Sequence, residues 1–595
     1  MNKILTVPKE IHNDSRVLYA GNHYISIPAI SSADASIRSF NIISMFNKGL
    51  VELAGEEAFL SLELYKGDRP LDVESVKTEI ELNYIPLFHI KLGGGLEVKA
   101  RIYADINEKG LIYELESSEE IYAALVCRAE RLSLLRFNSH SIDFKKEIKV
   151  DKWLENPAMN IYSYNVSFSM AFGGDRNFSF KQADDGKGLR LNLYLEKENK
   201  NAFYFAVNSD MDGASTTLIH LRRKGFHDIY SQLAGWLREK QIAYSKDPKL
   251  EKIINENLFF NYFFSIGKDM GSDQYVAMTS RSPRYYVSGA FWERDSFLWS
   301  FPAIRLVDEE LYLKLSREMI LMHGKNAGDH AHYIDGTVLY PGFELDEAAS
   351  YFILIKDIEE YDEGLLRTLD TVYKRIEREY DGSTGLYKTF LLPSDDPCMY
   401  PLVTIDNVIL WKGFINLLEV YEKLNMLDKV ELLRKRIEGI RSGIYEYLVG
   451  EVDGAKMFLW STDGNGNYRL YNDPPGNLGL LLYYGFVDEK DEIFQNTIKY
   501  YYSNRYKYYY EESRIRELAC DHHPNTPSGL GLCGSILNPM MRSQAISWLM
   551  EAEMDYGLLC ESFDRDTGEA RTGVGFATGS GYLAFALHHA LIGED

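Results

Sequence analysis

Apolar and polar residues alternate in short runs from residue 16 to about residue 218, as in Ile80-Glu-Leu-Asn-Tyr-Ile-Pro-Leu-Phe-His-Ile90 and Leu96-Glu-Val-Lys-Ala-Arg-Ile-Tyr103. A period of two places one set of side chains in a core and the other in solvent, and turn signals such as Gly93-Gly-Gly95 and Gly173-Gly-Asp-Arg176 cut the runs to strand length. Residues 1–222 are therefore expected to form an antiparallel β-sandwich. The period then becomes helical: Ile229, Leu233, Trp236 and Leu237 share one face of residues 226–245, and a linker helix is expected over 223–248. About a dozen further helical segments follow, at 250–264, 294–306, 309–323, 345–361, 364–380, 407–424, 427–448, 478–486, 492–502, 535–548, around 550–559 and 581–590. Paired as six hairpins, they predict an (α/α)6 toroid over residues 249–595, so the fold class is multidomain α and β. Its loops are rich in Gly and Asp, as in Asp463-Gly-Asn-Gly-Asn467, and long enough to build a funnel at one face.

The 595 residues fit two domains if one is a large helical barrel. With 65 basic against 88 acidic residues the formal charge is -23, which repels phosphate backbones, so no nucleic acid partner is expected. The five cysteines are odd in number and widely spaced without a C-x-x-C pair, which argues against a disulfide framework or a zinc site. The first ten residues contain no secretory apolar run, and no 18 uncharged apolar residues occur together. A cytoplasmic protein with no membrane partner is the expectation; a homo-oligomer is compatible with the sequence. Aromatics reach 13%, with 42 tyrosines, which suits stacking on sugar rings but equally suits sheet positions and a large core.

Four acidic segments carry the candidate chemistry. In Trp292-Glu-Arg-Asp-Ser296, Arg294 and Asp295 stand at a helix start beside Trp292, where Asp can bind sugar hydroxyls or simply cap the helix. In Glu344-Leu-Asp-Glu347, three carboxylates precede an apolar helix; capping explains one, and three repel unless a ligand, water or arginine separates them. In Pro393-Ser-Asp-Asp396 the prolines exclude a helix interior, and Asp395-Asp396 reads either as an Asx-type turn or as an acid whose pKa is raised by burial and its neighbour. Glu561-Ser-Phe563 follows an apolar run, so Glu561 is a candidate base for activating water or an ordinary helix-terminal glutamate. Paired carboxyl groups are what glycosidic bond hydrolysis requires.

In this order the segments resemble glycoside hydrolase family 125, exo-acting α-mannosidases on an (α/α)6 barrel, with Asn407 matching an asparagine after the Ser-Asp-Asp segment. Weaker echoes are Asn472-Asp-Pro-Pro-Gly-Asn-Leu478 and Gly529-Leu-Gly531. The resemblance covers about residues 250–592. It implies an inverting mechanism without metal or other cofactor, with Asp395 or Asp396 as acid and Glu561 as base. Trp292, Arg294, Asp295, Glu344, Asp346 and Asn407 then become candidates for holding the terminal sugar of an oligosaccharide substrate. Leu392 stands where the family has arginine, Glu347 where it has serine and Cys560 where it has histidine. The added sandwich is similar to the wider set of six-hairpin enzymes, including glucoamylases and kojibiose phosphorylases. The expected function is thus an inverting exo-acting α-glycosidase for α-mannosides or α-glucosides. The alternatives are a phosphorylase, with Arg571, Thr572, His522 or His523 as an anion site, and a noncatalytic carbohydrate-binding protein. A histidine-based sugar isomerase, drawing on His323, His330, His332, His522 or His523, is a further one.

Overall fold

The computed structural model describes residues 16–593 and divides into two compact units. The first runs to Gln241 and takes in Ile266–Val276 and Ser280–Gly289. It is built on an eleven-stranded and an eight-stranded sheet, both antiparallel. The central strand of the smaller sheet, Gly110–Ser117, lies between Leu96–Ala104 and Lys200–Asn208, with Tyr113 opposite both Ile102 and Phe203. Alternation does the work expected of it. Leu96, Val98, Ala100 and Ile102 are buried while Glu97 and Lys99 are exposed, and Phe88, Ile102 and Phe203 share one core with Leu53, Leu125 and Leu191 of the larger sheet.

Two local expectations change. Residues 80–90 are not one run: a strand ends at Glu81 and the next begins at Ile85, because Leu82 and Asn83 turn the chain with φ of 52° and 59°. The alternation also stops before residue 218, since helix α1 spans Met211–Lys224, capped by Asp210, which accepts from the Gly213 amide at 2.8 Å. Helix α2 is Phe226–Lys240, and Gly225 at φ 79° separates the two.

Twelve further helices lie in the second unit among the described residues: α3 Pro248–Phe264, α4 Phe301–Val307, α5 Glu309–His323, α6 Leu345–Leu354, α7 Glu363–Glu377 and α8 Thr404–Lys423, then α9 Leu427–Tyr447, α10 Leu480–Tyr483, α11 Glu492–Tyr501, α12 Gly529–Leu537, α13 Arg542–Glu551 and α14 Ala577–Leu591. Helices α6, α8, α10, α12 and α14 touch in sequence, α14 returns to α4, and the π-helical turn Asp295–Ser300 just before α4 meets α6, which closes an inner ring. Burial separates the two rings. Every residue of α12 is buried, whereas outer α7 buries only Leu365, Leu369, Val372 and Ile376, a single stripe at helical spacing. This is the (α/α)6 toroid that the sequence predicts.

The expected helix at 535–548 is instead the end of α12 and most of α13, broken at Asn538-Pro539 because proline lacks the amide and its ring clashes with the preceding turn. The helix expected around 550–559 ends at Glu551; Met554 and Tyr556 follow at φ 51° and 54°. The expected 478–486 helix contracts to α10. The five cysteines are free, and no helix among the described residues is long and apolar enough to cross a membrane. The first ten residues, where a leader was looked for, lie outside the described residues.

Candidate active site

In a ring of hairpins the inner helices run the same way, so the segments preceding them gather at one end. Arg294 precedes a π-helical turn, Asp295–Ser300, that leads into α4; Glu344 stands before α6, with Asp346 and Glu347 in its first turn; Asp406 lies in the first turn of α8. Asp473 comes before α10, His522 and His523 before α12, and Glu561 before α14. Helix N-termini carry partial positive charge and favour carboxylates.

Arg294 organises the floor. Its Nε donates to Asp346 Oδ2 at 2.6 Å, Nη2 to Glu344 and lies 3.3 Å from Glu347 Oε1, and Nη1 lies 3.4 Å from Asp395 and 3.8 Å from Asp295. Five carboxyl groups thus meet one guanidinium whose side chain is only 4% exposed. Burial opposes so much charge. It pushes Asp295 up to about 8 and Glu344 up to about 7 against the pull of Arg294, and it raises Asp406 well above the usual carboxylate range, with Asp346 adding to the effect. Behind the floor, the Glu293 amide donates to Glu347 Oε2 at 2.7 Å and Tyr351 OH to Glu293 at 2.7 Å. His330 Nδ1 lies 2.6 Å from Glu344 and 3.9 Å from Asp395; burial works against its proton, but those two carboxyl groups raise it above the usual imidazole value. Trp292 is buried edge-on to the His330 ring at 5.7 Å.

The acid loop is a tight turn. Asp395 donates its amide to Leu392 O at 2.8 Å across Pro393 and Ser394, and the Ser394 amide donates to Asp473 Oδ2 at 2.8 Å. Asp395 adopts φ 69°, a left-handed conformation that Asp tolerates better than most residues. Its side chain is 43% exposed at one edge. Removal from water on the remaining sides raises its pKa, Asp346 and Glu561 raise it further, and Arg294 and His330 oppose them.

Across from it, the Glu561 amide donates to Thr572 O at 3.1 Å and its carbonyl accepts from the Gly529 amide at 2.8 Å. Gly573, at φ 64°, passes so close that an added Cβ would stand 2.4 Å from Glu561 Cβ. His523 Nε2 lies 3.6 Å from Glu561 Oε2, and neighbouring His522 Nδ1 lies 3.4 Å from Asp396 Oδ2. His522 is pulled up to about 9, chiefly by its contact with Asp396, and Glu561 adds to the effect.

Asn407 is not part of this group. Its side-chain oxygen accepts from the Tyr387 amide at 2.8 Å and its nitrogen donates to the carbonyls of Tyr387 and Val403, which spends the amide on the backbone. Its neighbour Asp406 takes the ring-facing place instead, among Asp346, Arg294 and Glu344.

Two triplets bring metal-type donor atoms within 4.8 Å of one another, His330-Glu344-Asp395 and His522-His523-Glu561. Arg294 already supplies positive charge to both carboxyl groups of the first, and His522 of the second, drawn up by Asp396, would have to give up a proton before it could bind a cation.

A toroid with a carboxyl-lined site at one end is the architecture of the six-hairpin glycosidases, and comparison with known proteins agrees. Residues 361–584 match the family described as metal-independent α-mannosidase (GH125), which marks this region as that of a carbohydrate-active enzyme. A Streptococcus pneumoniae metal-independent α-mannosidase, solved in a non-productive complex with α-1,6-mannobiose, is similar at 17% identity and a TM-score of 0.54, over 60% of this chain and 98% of that one. A bacterial glucoamylase bound to acarbose is similar over 98% of this chain and 95% of its own, at 11% identity and a TM-score of 0.64. A putative kojibiose phosphorylase from the human microbiome follows at 12% identity and 0.55, over 97% and 87%. The latter two span the sandwich as well as the toroid.

Proposed function

We propose that the protein is an inverting, exo-acting α-glycoside hydrolase that removes a terminal α-mannosyl or α-glucosyl unit from an oligosaccharide. The observation that carries this reading is a pair of carboxyl groups on separate segments, Asp395 beside the Arg294 guanidinium at 3.4 Å and Glu561 within electrostatic reach of it, with burial and Glu561 itself raising the pKa of Asp395. Asp395 donates its proton to the glycosidic oxygen as the bond breaks. Glu561 takes a proton from a water that attacks the anomeric carbon from the other face, and the products carry the inverted configuration. Asp396 is the less suited acid, because its neighbour is a histidine held as a cation.

A floor of buried carboxyl groups would close the site behind a single terminal unit, which favours exo action. Its protonated carboxyl groups donate to sugar hydroxyls and its ionised ones accept from them. Phosphorolysis is disfavoured: the carboxyl group of Glu561 stands on the attacking side, and Arg571 is engaged with Asp564.

Proton NMR of the protein with α-mannosides and α-glucosides of defined linkage, with and without phosphate, tests the proposal. Initial release of the β-anomer without phosphate, abolished by Glu561→Gln, is expected. Release of a sugar 1-phosphate, or binding without turnover, would refute it.

A further inference from the structure

Beside the acid loop lies a cavity of about 390 Å³ that the mechanism above does not use, lined in part by Asp396, Met399, Arg469, Tyr471 and Asp521. The structure assigns this cavity, we infer, as the subsite for the leaving group, built to take a neutral hexopyranose unit through the Arg469–Asp521 pair. The assignment rests on the glycosidase reading above and names what stands on the other side of the cleaved bond.

Three observations carry it. The first is position. Asp395 faces the Arg294 floor at 3.4 Å, whereas Asp396, the next residue, lines the cavity. Two consecutive residues therefore divide the floor from the cavity, and a glycosidic oxygen at Asp395 has the terminal sugar on one side and the leaving group on the other. The size lies within the range of roughly 300–1,000 Å³ that houses small organic ligands.

The second is rigidity. The Asp521 amide donates to Tyr471 OH at 3.3 Å, and Tyr471 OH donates to Asp473 Oδ1 at 3.1 Å. The other oxygen of Asp473 holds the Ser394 amide, so the cavity wall and the acid turn share one hydrogen-bonded frame. Arg469 packs its guanidinium 4.1 Å from the centre of the Tyr471 ring while bonding to Asp521, which Lys507 also meets at 3.1 Å. A guanidinium fixed by both ring and carboxylate presents its remaining donors in one orientation, suited to a pair of sugar hydroxyls.

The third is charge and polarity. The two carboxylates that line the cavity are already paired, Asp521 with Arg469 and Lys507 and Asp396 with His522, so a neutral leaving group meets no unpaired charge there. Met399 stands 64% exposed at the rim, where an apolar edge can take the C–H face of a ring. Leu392, in the place where the resembled family carries arginine, has a buried apolar side chain, so the guanidinium in this cavity comes from another segment, as Arg469.

The test uses the α-linked disaccharide turned over by the full-length protein and the α-glycosyl fluoride of the same terminal sugar, whose leaving group needs no subsite. Arg469→Ala should lower the ratio of kcat/KM for disaccharide over fluoride by about tenfold or more. Met399→Trp, which narrows the rim without touching the frame, should lower the same ratio. An unchanged ratio in both variants, with fluoride still hydrolysed, would overturn the cavity assignment while leaving the glycosidase reading intact. A wild-type protein that hydrolyses neither compound, across mannosyl and glucosyl series, would overturn both.

Discussion

The floor around Arg294 and the wall that carries Glu561 solve the same electrostatic problem in opposite ways. On the floor, Asp295, Glu344, Asp346 and Glu347 share one buried guanidinium with the more exposed Asp395, and burial raises Asp295 to about 8 and Glu344 to about 7. On the wall, two carboxyl groups face two imidazoles, and the side chains are open to solvent, 43% for Asp396 and 15% for Glu561. Asp395 and Asp396 are equally exposed, so the contrast teaches that the groups a carboxyl meets, the Arg294 floor for one and a histidine for the other, set the two apart. In the proposed reading Asp395 is the acid, since it meets the Arg294 floor at 3.4 Å while its side chain stays 43% exposed.

The largest expected effect breaks the floor. Arg294→Met leaves five carboxyl groups without their cation and should cost about 3–5 kcal/mol of stability in denaturant unfolding. His523→Ala on the wall should cost less, about 1–2 kcal/mol in the same measurement, because it removes one partner of a single carboxyl group rather than the cation shared by five. Equal losses would dissolve the distinction. Next in size is Asn407→Ala, which strands the Tyr387 amide and two carbonyls and should destabilise by about 1–3 kcal/mol, with KM for the sugar unchanged.

The pH profile sharpens the comparison further. An acid works while it holds its proton, so the alkaline limb of kcat marks its loss from Asp395. The positive charge of His330 lowers that pKa, and removing it in His330→Gln must raise the pKa and move the limb to higher pH. A limb that moves down or stays in place would detach Asp395 from the limb. The smallest effect is expected for Asp295→Asn: with its pKa near 8 the group is largely neutral at pH 7, and the amide oxygen can still accept from Thr578. Activity at pH 7 within about threefold of wild type is the expected outcome.

Much of this arrangement was legible in the chain. The alternation up to residue 208 and the helical stripes after it carry the two-unit architecture, and the four acidic segments are brought to one end of the toroid. What was not legible has physical reasons. Adjacent residues differ by about 100° in direction, and the first two turns of α8, Thr404 to Trp411, are buried on every side, which gives no signal to choose Asp406 over Asn407. His522 meets Asp396 across 126 residues, a contact that no local pattern announces. The break between α12 and α13 was available in Pro539, where periodicity was allowed to outweigh proline.

The most direct test of the central claim is turnover of the α-glycosyl fluoride by Glu561→Ala in the presence of azide. Fluoride departs without an acid, so only the base side is interrogated. The account predicts a loss of about 10²–10⁴-fold without azide, restored turnover with it, and a β-glycosyl azide as product. Unimpaired hydrolysis by the variant, or an α-configured azide, would contradict Glu561 as the base of an inverting reaction.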